Sequence, residues 1–160
     1  MNKKLDIEKI KAVKFIVTHD NCTDGLAAAI LLHDVLPDAE IIFAQHGTEA
    51  YTKLEARPNM LFVDIVPPKD RYEEFLKAGA IVLDHHKGVK DIVEKFGTNA
   101  VFGDEKLDPG VSGGPLAYKH VWKPLHALAI EQAKKEDPEY FEYHSDNETF
   151  EKFVARFAER

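Results

Sequence analysis

The sequence predicts an α/β fold in which helices flank a parallel, doubly wound β-sheet. Short apolar runs rich in β-branched residues recur at 14–18, 40–44, 60–63 and 80–83, each of strand length. Segments with helical spacing separate them. Strands alternating with helices are the pattern of a parallel sheet covered on both faces.

Residues 1–12 form a polar lead-in with room for a short helix. Lys14-Phe15-Ile16-Val17-Thr18 reads as the first strand, and 19–23 as a polar loop. The Ala/Leu-rich segment 25–32 reads as a buried helix that ends before Pro37. Glu40-Ile41-Ile42-Phe43-Ala44 is the second strand. Met60-Leu61-Phe62-Val63 is the third, closed by Asp64 and then by Pro67-Pro68, which cannot extend a ladder. An amphipathic helix over 69–78 ends at Gly79. Ala80-Ile81-Val82-Leu83 is the fourth strand, 89–96 the next helix and 99–102 a weak fifth strand. A loop rich in Asp, Pro and Gly spans 103–114. Residues 115–134 read as a helix bent at Pro124. The remainder is charged, with helix expected over 148–160.

At 160 residues and 44% hydrophobic, the chain suits one domain over 1–160. Its motif-bearing core covers about 14–120, with a helical part over 121–160. That length buries a core without cross-links. Cys22 is the single cysteine, which excludes a disulfide framework and fits a reducing, cytoplasmic location. The start, Met1-Asn2-Lys3-Lys4-Leu5-Asp6, lacks the apolar stretch of a signal peptide. No run approaches the ~20 apolar residues of a membrane helix. A net charge of −7 argues against a duplex DNA partner. A small anionic substrate stays compatible, because bound cations reverse the local field. A homo-oligomer is equally compatible.

Three strands end in chemistry. After the first come His19, Asp20, Asn21, Cys22, Thr23 and Asp24; after the third, Asp64; after the fourth, Asp84-His85-His86. Parallel strands would gather these groups at one carboxyl edge, where open α/β sheets bind ligands. Carboxylates so close repel one another unless cations neutralise them. A pair of divalent ions about 3.5–4 Å apart, bridged by a carboxylate, resolves this and activates water for attack on a phosphoryl group. Plainer roles compete. Asp64 and Asp24 serve equally as helix caps, and Cys22 equally as a small residue at the helix entry.

The motifs resemble those of the DHH phosphoesterase superfamily. Asp84-His85-His86-Lys87 after Val82-Leu83 is similar to its third motif and Phe62-Val63-Asp64 to its second. Val111-Ser112-Gly113-Gly114-Pro115-Leu116-Ala117-Tyr118 is similar to its Ser-Gly-x-x-Leu-Ala segment. His19-Asp20-Asn21-Cys22-Thr23-Asp24-Gly25 resembles a variant first motif, His-x-x-Cys-x-Asp-Gly. The resemblance implies two metals, usually Mn²⁺, with Mg²⁺ or Co²⁺ as alternatives. It implies His19, Asp24, Asp64 and His85 as metal ligands, with Asp64 bridging. It implies that His86 faces the scissile phosphate and that Asp84 orients the histidines. Lys87, Ser112 and Gly113 join His86 as expected substrate contacts. Ser112 is also the expected N-cap of the following helix, and a Gly-rich entry there presents N–H groups to phosphate.

The chain departs from the commoner pattern. Thr23 and Gly25 stand where that pattern has Asp, with Asp24 between them. The late Asp has no motif match, leaving Asp104, Asp108 and Asp146 as candidates. No C-terminal substrate-binding domain is expected within the chain. Tyr140, Phe141 and Tyr143 beside His144 offer a platform for a base, against a plainer packing role. His46, after the second strand, is a further candidate for the same edge.

The expected activity is metal-dependent hydrolysis of a phosphodiester, phosphoanhydride or phosphomonoester. The substrate would be a small phosphorylated molecule or a short single-stranded nucleic acid. A non-catalytic metal- or nucleotide-binding module, or part of a larger phosphoesterase, is the alternative.

Overall fold

In a computed structural model, which describes residues 4–136, the apolar runs become five strands. They are β1 (Phe15–His19), β2 (Glu40–Ala44), β3 (Met60–Val63), β4 (Ile81–Asp84) and β5 (Ala100–Phe102). They pair in the order β2-β1-β3-β4-β5, and every pair is parallel. The fold is therefore α/β, with a five-stranded parallel sheet flanked by helices.

Seven helices accompany the strands among the described residues: α1 (Ile7–Lys11), α2 (Thr23–Val35), α3 (Glu49–Thr52), α4 (Tyr72–Lys77), α5 (Lys90–Lys95), α6 (Gly113–Ala117) and α7 (Lys123–Glu136). The single turn α3 is not anticipated by periodicity, because four residues are too few to show one. Its cap is local: the Thr48 hydroxyl accepts from the Tyr51 N–H at 3.3 Å.

Side chains alternate across the strands into two apolar layers. Ile16, Leu61, Val63, Ile81 and Leu83 pack on one face with Ala28 and Leu32 of α2 and Leu116 of α6. Val17, Met60, Phe62 and Val82 pack on the other with Phe75 of α4 and Ile92 and Val93 of α5. Burial of each such large side chain stabilises the fold by about 1.5–3 kcal/mol. β3 and β4 are buried along their whole length, which explains why they read as continuous apolar runs rather than alternating ones.

Before Pro124, where a bend is expected, the helix departs from regular α form. A π-helical turn over Tyr118–Trp122 precedes it. Pro124 has no N–H to donate to the carbonyl of His120, and its ring crowds that carbonyl. A widened turn accommodates both.

The chain packs as two compact units, Met1–Leu125 and His126–Arg160. The sheet and every residue of the candidate site lie in the first. Of the second, only residues 126–136, the greater part of α7, are described. The expected helix over 148–160, Asp146 and the aromatic group at Tyr140, Phe141, Tyr143 and His144 lie outside the described residues. Among the described residues no helix is long and apolar enough to cross a membrane.

The strand order reverses between β1 and β3, since β1 leads outward to β2 and the chain then returns to β3 on its other side. Doubly wound sheets bind ligands at such a switch point, outside the strands' carboxyl ends. The register aligns Thr18 with Val63 and Val63 with Leu83. The next residues, His19 and Asp84 at the ends of β1 and β4 and Asp64 just after β3, therefore stand abreast at this edge.

Candidate metal centre

Two donor triads form at this edge, and they share one residue. Ligand atoms of His19, Cys22 and Asp64 lie within 4.8 Å of one another, as do those of Asp64, His85 and His86. The two oxygens of Asp64 divide between them. Oδ2 accepts from Cys22 Sγ at 3.4 Å, and Oδ1 lies 3.1 Å from His85 Nε2.

Local structure fixes each donor. Asp64 ends β3 with a left-handed backbone, φ 63°, which few non-glycine residues adopt and which commonly marks a functional turn. Its N–H donates to the Leu83 carbonyl at 3.0 Å, tying the turn to β4. Gly113 presses against its side chain: a Cβ at 113 would lie 2.5 Å from Asp64 Cβ. Gly25 does the same for His19, since a Cβ there would lie 2.2 Å from the His19 carbonyl oxygen. The Gly25 carbonyl in turn accepts from the buried Thr18 hydroxyl at 3.0 Å.

Asp84 is as buried as Asp64, each side chain being 1% exposed. Its Oδ1 accepts from the His86 N–H at 2.7 Å and contacts His86 Nδ1 at 2.9 Å. A carboxylate only accepts, so this contact puts the ring proton on Nδ1. In the neutral ring Nε2 is then the free lone pair, the arrangement that carboxylates impose on metal-binding histidines. The His85 and His86 rings stack at a tilt, with centroids 4.3 Å apart.

Among the described residues, no Lys or Arg pairs with Asp64 or Asp84; their ion-pair partners are His85 and His86. Buried carboxylates without a cation are costly. His19 Nδ1 is buried with no hydrogen-bond partner. Buried polar atoms are normally satisfied, so an unpartnered imidazole nitrogen in a cluster of donors fits the role of a metal ligand. The donor set, imidazole with carboxylate and thiol, also suits a divalent transition metal.

The remaining candidates fall outside the triads. Asp24 lies in the first turn of α2 and accepts from Ser112 Oγ at 3.1 Å. Cys22, not Asp24, holds the N-cap position, and it makes no side-chain capping bond. Ser112 holds the N-cap position of α6, but its hydroxyl caps nothing, being committed to Asp24. Gly113 packs directly on Asp64. Lys87 is exposed and pairs with Glu105 at 3.2 Å. Asp104 accepts from the Lys106 N–H, and Asp108 pairs with Lys119. His46 sits 6.1 Å from His19 ring to ring and edge-on to Tyr51. Partial burial, and then the His19 charge, push its pKa below 6.5.

The donor that sequence reasoning left aside is Cys22. Its signal is the His-x-x-Cys spacing, which wraps the loop after β1 back towards Asp64. A cavity of about 340 Å³ is lined in part by Phe102, Gly103, Val111 and His120, and by no residue of either triad. A Cβ at Gly103 would lie 3.2 Å from His85 Cβ.

No known family model, curated protein or solved structure matches this chain.

Proposed function

We propose that this chain is a metal-dependent phosphoesterase that hydrolyses a small phosphorylated substrate or a short single-stranded nucleic acid in the cytosol. One observation carries the reading: two donor triads share the Asp64 carboxylate, one oxygen towards each, at the switch point of a parallel sheet.

His19, Cys22 and Asp64 would hold one ion, and Asp64, His85 and His86 the other. Mn²⁺ is the ion that the motif resemblance implies. Two such ions, when bound, lower the pKa of water and neutralise charge developing on a phosphoryl group. The chain's own groups do the rest. Asp64 sets the spacing of the two triads. Asp84 locks the His86 ring and keeps its proton on Nδ1. His86, whose side chain is 53% exposed, brings its ring to the mouth of the site, where an ion held by Nε2 would be met by an arriving phosphate.

A short oligonucleotide or bis-p-nitrophenyl phosphate with Mn²⁺ tests the reading. Hydrolysis is expected, with loss on EDTA treatment and in Asp64→Asn. Turnover that survives chelation, or full activity in Asp64→Asn, would overturn it.

One observation favours a second reading. Asp24 is held by Ser112 outside both triads, so Asp64 is the single carboxylate among the five donor residues. A centre so poor in negative charge suits a module that binds metal, or nucleotide through metal, without turnover. Two bound ions with no hydrolysis of any ester would support that reading.

A further inference from the structure

We propose that the triad of His19, Cys22 and Asp64 is a thiolate-containing metal site. It would take a thiophilic divalent ion (Zn²⁺, Fe²⁺ or Co²⁺) in preference to Mg²⁺ or Mn²⁺, so that the two triads hold chemically unlike ions. The proposal rests on the cluster being a metal centre, as read above, and not on the reaction it performs.

Three observations converge on Cys22. First, its position is not explained by capping. It occupies the N-cap of α2, where Ser, Thr, Asp or Asn would satisfy an orphan N–H, and its side chain caps nothing. Second, its position is not explained by packing. The residue is only half-buried and belongs to neither apolar layer. Its sulfur points instead at Asp64 Oδ2, 3.4 Å away. Third, the neighbouring imidazole has a buried Nδ1 with no partner, so the loop that carries Cys22 also carries an unsatisfied nitrogen.

Donor chemistry then separates the triads. Thiolate is a soft ligand that favours Zn²⁺ and its neighbours, whereas Mg²⁺ takes oxygen ligands almost exclusively. The second triad has two imidazoles and a carboxylate but no sulfur, so it accepts Mn²⁺ more readily than the first. Ion binding at the first site replaces the Cys22 S–H contact with Asp64 and releases that proton to solvent.

Cobalt reports the ligand directly. Metal-free protein in reducing buffer, titrated with Co²⁺, is expected to develop a near-ultraviolet thiolate-to-cobalt charge-transfer band. In Cys22→Ser the band is expected to vanish while one ion still binds, and that ion shows the variant to be folded. The affinity of the first site for Zn²⁺ should fall by roughly 10-fold or more, about 1.4 kcal/mol. Cys22→Asp is expected to restore the second equivalent of metal, now with Mn²⁺ favoured and no band. Cobalt binding without the band in the wild type, or a band that persists in Cys22→Ser, would overturn the proposal. Diester hydrolysis measured on the same samples separates the two ideas. Hydrolysis without the band defeats the thiolate ligand alone, and the band without hydrolysis defeats the phosphoesterase reading alone.

Discussion

The turns after β3 and β4 each bury a carboxylate to the same extent, yet the two carboxylates are placed for different work. Asp84 is satisfied by its own loop, with the His86 backbone and ring both donating to one oxygen. Asp64 reaches instead to side chains from two other parts of the chain, Cys22 and His85, from a left-handed backbone braced by Gly113. Burial alone does not distinguish them; partners and backbone do. A carboxylate enclosed by its own loop positions a neighbour. One held in a strained turn between two sets of donors is available to a ligand.

The sharpest way to break that distinction is Asp64→Asn. Asparagine tolerates the left-handed backbone, fits beside Gly113 and removes a buried charge. Hydrolysis should fall by roughly 10³-fold or more, because the ions contribute several kcal/mol to the transition state. Thermal unfolding of the metal-free protein should stay close to wild type. A large loss of stability would mean that Asp64, like Asp84, is structural.

Asp84→Ala should do less to function and more to the fold. Freeing the His86 ring is expected to cost about 10–100-fold in metal affinity or turnover. Leaving the His86 N–H without its acceptor should cost about 1–3 kcal/mol, read from denaturant unfolding. An unchanged unfolding midpoint would remove the contrast between the two turns.

Gly113→Ala probes the brace. The added Cβ meets Asp64 Cβ rather than the end of a flexible chain, so the turn itself must move. We expect about 1–3 kcal/mol of destabilisation and weaker metal binding together. Stability loss with intact metal binding would show that the brace does not position Asp64.

A smaller effect separates the site from the rest of the unit. Burial, and then the Lys119 charge, hold the pKa of His120 below its ordinary 6.5. The unfolded chain then binds the proton more readily than the folded one, so stability falls as pH drops below 6.5. His120→Gln should flatten that acid limb and leave metal binding unchanged. An identical limb in the variant would show that His120 does not carry it.

The strands were the legible part of this fold. The runs at 40–44 and 60–63 match β2 and β3 residue for residue, because buried parallel strands are continuous in sequence. The Asp84-His85-His86 triplet and Asp64 were legible for the same reason, as polar residues ending apolar runs. What escaped was set by tertiary contact. Nothing local says that Ser112 donates to Asp24, 88 residues away, and the His-x-x-Cys spacing marks Cys22 without naming Asp64 as its partner. The π turn before Pro124 likewise reflects how the chain relieves a proline, which the sequence marks only as a bend. Nor does the sequence show that a Cβ at Gly113, an expected substrate contact, would meet the Asp64 side chain.

The central claim is that Asp64 serves two triads at once, and counting ions tests it most directly. Metal-free protein equilibrated with Co²⁺ or Zn²⁺, desalted and analysed for metal, should carry two ions per chain. Asp64→Asn, folded by the same criteria, should carry none tightly bound, because each triad would be left with two donors. Two ions retained by Asp64→Asn, or a single ion in the wild type, would contradict the shared carboxylate.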